Sequence, residues 1–73
     1  MIIKEAELRF HARALATPII RKHDQENSWT IALTDSHKLN QILETARGQV
    51  RLFKRQNAAM GIVFEIKFGE ISN

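Results

Sequence analysis

A chain of 73 residues is one small domain, since domains ordinarily need about 50 to 200 residues, and this length excludes a two-domain enzyme. Apolar residues make up 44% of it and charged residues 26%, with both signs interspersed, so the composition of a disordered chain does not apply and residues 1–73 are expected to fold as a single unit. The excess of 11 Lys and Arg over 8 Asp and Glu, a net charge of +3, mildly favours a polyanionic partner.

The first sixteen residues satisfy two templates. Ala6, Leu8, Phe10, Ala12 and Ala14 alternate with Glu7, Arg9, His11 and Arg13 as in a strand, while Leu8, Ala12 and Leu15, or Phe10 and Ala14, are also spaced for a helix. Ala, Leu, Glu and Arg dominate the segment, which favours a helix, and Pro18 is expected to end it. Ile19 to His23 and Ser28 to Thr34 flank the polar cluster Asp24-Gln25-Glu26-Asn27 and predict a hairpin. In its second arm Trp29, Ile31 and Leu33 are expected to face the core, opposite Thr30, Ala32 and Thr34. Thr34 to His37 supplies the next turn and Leu39 to Ala46 a third strand. Gly48 then marks a tight reversal before Val50 to Phe53.

Two patterns compete near the C-terminus. Ala59, Ile62, Val63 and Ile66 follow helical spacing with Asn57 as N-cap, giving a helix from Ala58 to about Ile66. Ile62 to Phe68 is equally rich in β-branched and aromatic residues, as a strand would be, and Gly61 costs a helix about 1 kcal/mol. With the helix, the fold class is α+β: an antiparallel meander of three or four short strands, an N-terminal helix, and a C-terminal helix across one sheet face.

Asp35-Ser36-His37 contains the residue types of a hydrolase triad, but a triad needs side chains converging from separated positions, so these three read as a turn. His11, His23 and His37 have no spacing that would set two ligands on one face, so no metal site, cofactor or catalytic residue is assigned. Without cysteine there are no disulfides, thiolate metal sites or Cys nucleophiles, and the unstapled core rests on a margin of about 3 to 5 kcal/mol. Homodimerisation is therefore a live alternative, with Met1-Ile2-Ile3 and Ile62-Val63-Phe64 exceeding what the core can hold. The absence of any long apolar run leaves no membrane span or signal segment, and the expected location is the cytoplasm.

The sharpest feature is charge placement. Between Glu44 and Glu65 there is no acidic residue, while Arg47, Arg51, Lys54 and Arg55 all fall there. With Gly48 as the reversal, Arg47 ends one strand, Arg51 lies on the next, and Lys54 and Arg55 stand before the helix. Such a cluster suits phosphate groups; it also suits a solvated basic edge that deters strand aggregation. Trp29 and the four phenylalanines fit a base-stacking platform or, in so small a domain, simply the core, with Phe53 the residue between Arg51 and Lys54.

The stretch from Glu44 to Lys54 resembles ParC-family partition-associated proteins, small proteins of conjugative plasmids and integrative elements unrelated to the topoisomerase subunit of similar name. Thr45, Arg47, Gly48, Arg51 and Phe53 match a strand ending in Thr-x-Arg-Gly followed by x-x-Arg-x-Phe; Ala58 and Ala59 match the small residues of the following helix; Trp29 matches the opening of the second strand. The resemblance spans roughly residues 28–71 and implies a helix from Ala58. Lys67 stands where the family has a turn glycine. The chain stops at Asn73 as the last strand would be under way, so that strand is expected to be short or absent, with a partner chain completing the sheet. The implied role is a cytoplasmic, non-enzymatic accessory of plasmid maintenance, with DNA or partition proteins as partners and no small-molecule substrate. The alternative is a homodimeric adaptor in which Arg47 and Arg51 pair with carboxylates such as Glu44.

Overall fold

A computed structural model describes residues 1–23, 27–35 and 37–69. Its order is α1 (Ile3–His11), β1 (Ile19–His23), β2 (Ser28–Thr34), β3 (Asn40–Ile42) and α2 (Gln56–Phe68), an α+β fold with a three-stranded antiparallel sheet ordered β1-β2-β3 and α2 packed on it. The helix reading of the C-terminal segment holds, because Ala59 and Ile66 are fully buried and Ile62 and Val63 pack beside them, the helical spacing in use. It starts two residues earlier than expected: Arg55, not Asn57, is the N-cap.

β1 and β2 occupy the expected spans, in register from Ile19 opposite Ala32 to His23 opposite Ser28. Of the polar cluster between them, residues 24–26 lie outside the described residues. On the helix side of the sheet Ile31 and Leu33 are fully buried, and Leu43 joins them; Trp29 is half-buried against the same core. α1 packs on α2 and buries Ala6 completely. Burying a large aliphatic side chain contributes about 1.5–3 kcal/mol, so these few residues carry most of the fold. Ser28, Thr30 and Ala32 turn to the other face, where Ile19 and Ile42 flank Ala32 and remain exposed.

Pro18 does not end α1. The helix stops at His11, seven residues earlier, because Arg13 adopts a left-handed φ of 61°. The Arg13 amide then donates to Phe10 O (2.9 Å) and the Ala14 amide to Arg9 O (2.8 Å), the paired bonds of a Schellman C-cap with arginine in the position glycine usually takes. Pro18 serves the sheet instead. The Ala16 amide donates to Thr34 O (2.9 Å) while Ile19 pairs with Ala32, so Thr17 and Pro18 together oppose Leu33 alone. This is a β-bulge, where a missing N–H costs no ladder bond.

β3 is shorter than the expected strand from Leu39 to Ala46. Leu43 still donates to Ile31 O (2.9 Å), but Glu44 leaves β2 to bridge both Ile2 and Val50. Val50 to Phe53 is accordingly no continuous strand; it touches the sheet through single bridges, Val50 to Glu44 and Phe53 to Trp29. Both turns on this side share one construction. The Thr45 amide donates to Gln49 O (2.7 Å) and the Gly48 amide to Thr45 O (2.9 Å); likewise the Asp35 amide donates to Leu39 O (3.2 Å) and the Lys38 amide to Asp35 O (3.0 Å). The left-handed residue is Gly48 (φ 84°) in one and Lys38 (φ 63°) in the other. Asp35 anchors its turn by accepting from the amides of His37 (2.9 Å) and Leu39 (3.0 Å), which uses its carboxylate for turn formation.

Gly48→Val should lose about 1–2 kcal/mol in urea denaturation, since a β-branched residue resists the left-handed region, whereas Arg13→Gly should be neutral or gain up to about 1 kcal/mol. Gly61 lies mid-helix with open space where a Cβ would stand, so Gly61→Ala should stabilise by about 0.5–1 kcal/mol in the same measurement.

Candidate nucleic-acid interface

The four basic residues ride on the excursion that leaves the sheet after Leu43 and returns at Phe53. Its outgoing arm is held by the Glu44 amide donating to Met1 O (2.7 Å), and its return arm by the Arg51 amide donating to Leu43 O (3.0 Å). Between them the Thr45 to Gln49 turn closes tightly, reinforced by Thr45 Oγ1 accepting from the Gln49 amide (3.3 Å). The Thr-x-Arg-Gly sequence thus has a local physical reason, a hydroxyl acceptor at the first position and a left-handed glycine at the last.

Arg47 lies in this turn rather than at a strand end, and is exposed. Arg51 shares a face with Phe53 two residues on, and its guanidinium lies 5.4 Å from the centroid of that ring. It is half-buried, and the cation–π contact contributes about 0.5–1 kcal/mol. Lys54 and Arg55 follow at the start of α2, both exposed. Along the chain, Lys54 and Arg55 therefore stand at the start of α2, Arg51 lies on the Phe53 ring four positions before the cap, and Arg47 lies in the preceding turn.

None of the four meets a carboxylate among the described residues. The expected pairing of Arg47 or Arg51 with Glu44 is not formed: the Glu44 carboxylate accepts from the Met1 amino group, and a further ion pair among the described residues joins Arg9 to Glu5 at 2.7 Å on α1. The local field sharpens the point. α2 has no acidic residue in its first turn and no side-chain cap, and Arg55 occupies the N-cap. Helix N-termini carry a partial positive charge that favours anions, so two cations at this end oppose the dipole.

The aromatic residues divide. Phe53 is buried in the core, which removes it from any stacking role, while Phe64 and Phe68 are 54% and 70% exposed and stack on each other at 6.0 Å. Phe64 belongs to a feature that the sequence did not single out, an open groove of about 240 Å³ lined by Pro18, Ile20, Met60, Val63 and Phe64. Reading Pro18 as a helix stop hid it, since the groove exists only because Pro18 is brought beside α2. Among the described residues no helix is long and apolar enough to cross a membrane.

Replacing Arg55 with serine supplies an N-cap acceptor and removes a charge from the positive helix end, so Arg55→Ser should raise stability by about 1 kcal/mol in chemical denaturation. No family model matches the chain, no curated protein matches its sequence and no solved structure matches its fold.

Proposed function

We propose that the protein is a non-enzymatic binding module that contacts DNA, or a DNA-bound partition complex, through Arg47, Arg51, Lys54 and Arg55, as an accessory of plasmid or mobile-element maintenance in the cytoplasm. The observation that carries this reading is that Lys54 and Arg55 stand at the start of a helix with no side-chain cap and no acidic residue in its first turn, with Arg51 four positions before the cap and none of the three in an ion pair among the described residues. That arrangement lowers the stability of the isolated domain and is relieved by a bound phosphate, which would accept from the guanidinium and ammonium donors and from the free amides of the first helical turn. The place of these residues within the ParC-like stretch supplies the biological setting.

A second reading, a homodimeric or adaptor protein without nucleic-acid contact, is favoured by a different observation. Met60, Phe64 and Phe68 form an exposed apolar row along α2, a helix whose inner face is apolar as well. An exposed apolar row of this kind is ordinarily a contact surface.

Binding of duplex and single-stranded DNA, followed by fluorescence anisotropy, separates the two. If all four residues neutralise phosphates, affinity should fall about 100-fold between roughly 50 and 200 mM salt. Arg47→Ala or Lys54→Ala should each lower the slope of log K against log salt by about 1. No binding at low salt, or an unchanged slope in these variants, rejects contact through this segment. A dimer in sedimentation equilibrium that Phe64→Asp dissolves would then support the adaptor.

A further inference from the structure

The edge of the sheet opposite the basic excursion carries an independent feature. In β2 the amides and carbonyls of alternate residues point to alternate sides. Trp29 exchanges backbone bonds with Phe53 (2.7 and 2.9 Å), and Ile31 O accepts from Leu43 (2.9 Å), so Trp29 and Ile31 turn away from β1. Their partners in β1, Lys22 and Ile20, are therefore in non-hydrogen-bonded pairs, and their own N–H and C=O groups point outward from the sheet. Among the described residues nothing pairs with them. The Ile20 side chain lies on the helix side, in the groove completed by Pro18, Met60, Val63 and Phe64. Arg21, exposed on the other face, and Lys22, exposed on the helix face, put two positive charges beside it.

We propose that this edge takes up an extended acidic and apolar peptide segment of a partner protein as a fourth, antiparallel strand. Outward backbone groups at Ile20 and Lys22 supply two donors and two acceptors. The groove takes an apolar side chain from the residue opposite Ile20, and Arg21 faces a carboxylate on the next residue of the added strand. A second copy of this chain fits poorly. Symmetric antiparallel registers that match the outward positions set Arg21 against Arg21, Lys22 against Lys22, or Lys22 against Pro18, which has no N–H to donate. Charge complementarity therefore selects an acidic segment over self-pairing. The surface is distinct from the Arg47 to Arg55 segment, and the proposal stands or falls apart from DNA binding.

The test uses the full isotope-labelled chain and a capped hexapeptide of alternating isoleucine and glutamate, followed by NMR. Binding should shift the amides of Ile20, Arg21 and Lys22 and the side chains of Met60 and Val63, and should slow amide exchange at Ile20 and Lys22. An isoleucine–lysine hexapeptide, and an isoleucine–glutamate peptide N-methylated at its isoleucines, should each bind roughly tenfold or more weakly. Arg21→Glu should reverse the preference between glutamate and lysine peptides. Met60→Asp, at an exposed position, should weaken binding with the fold intact by circular dichroism. The proposal is overturned by shifts confined to residues 47–55, by equal binding of the N-methylated peptide, or by no binding at all. Protection of Ile20 and Lys22 in the peptide-free protein would also overturn it: protection that grows with protein concentration assigns the edge to a second copy, and protection in the dilute monomer to the chain itself.

Discussion

Two backbone hydrogen bonds between Trp29 and Phe53 set the arrangement of everything after β3. Of the seven residues of β2, Trp29, Ile31 and Leu33 turn their backbone groups to the far side, and β3, opposite Ala32 to Thr34, covers only Leu33. Leu43 takes Ile31, and the remaining need at Trp29 is met by a residue ten positions further on. Buried amides left without partners cost about 1–3 kcal/mol each, so the return of the chain to Trp29 is a requirement of β2 as much as of the loop. The segment between Leu43 and Phe53 must then leave the sheet and come back, which forces a tight reversal and makes Thr45 and Gly48 the residues suited to it. Phe53 brings its ring into the core as it returns, giving Arg51 a surface to lie on and leaving only Lys54 before the cap of α2.

The same constraint explains an electrostatic conflict. α2 starts where the returning chain allows, at Arg55, and the residues there oppose the helix dipole. A small domain with a margin of a few kcal/mol has reason to remove such a conflict, and a serine or aspartate at this position would do it. Cations at an uncapped helix start are therefore unfavourable for the isolated domain.

Legibility in the sequence followed how local each decision was. β1 and β2 were legible because alternation in Trp29, Ile31 and Leu33 and a polar break at Asp24 to Asn27 are short-range signals. Gly48 was legible for the same reason, since the left-handed region selects glycine by sterics alone. The end of α1 was not, because Arg13 takes the left-handed conformation that sequence reasoning reserves for glycine, and Pro18 offered a plausible but false stop. The length of β3 was hidden because Glu44 departs to pair with Ile2, forty-two positions away, a contact that no window of local sequence contains. The ambiguity of Ile62 to Phe68 was resolved by packing: Ala59 and Ile66 reach the core from one helix face, while Gly61 falls on open surface where its cost is only conformational. As for the site, the cluster of basic residues was visible, but the absence of a Glu44 partner and the lodging of Arg51 on Phe53 depend on tertiary positions.

The two sides of β2 show how similar residue types acquire different chemistry from their backbone surroundings. On one side Arg47, Arg51, Lys54 and Arg55 accompany a backbone whose Trp29, Ile31 and Leu43 groups are already paired, so what remains to be recognised is charge. On the other, Arg21 and Lys22 flank a backbone whose outward groups at Ile20 and Lys22 have no partner among the described residues, beside an apolar groove. A phosphate backbone can satisfy the first surface but has no rigid row of alternating amides and carbonyls to match the second, and no apolar side chain for the groove. An extended peptide has both. The modest net charge of +3 therefore hides a local excess: these two segments hold six of the 11 Lys and Arg, and the rest of the chain is net acidic, with five against 8 Asp and Glu.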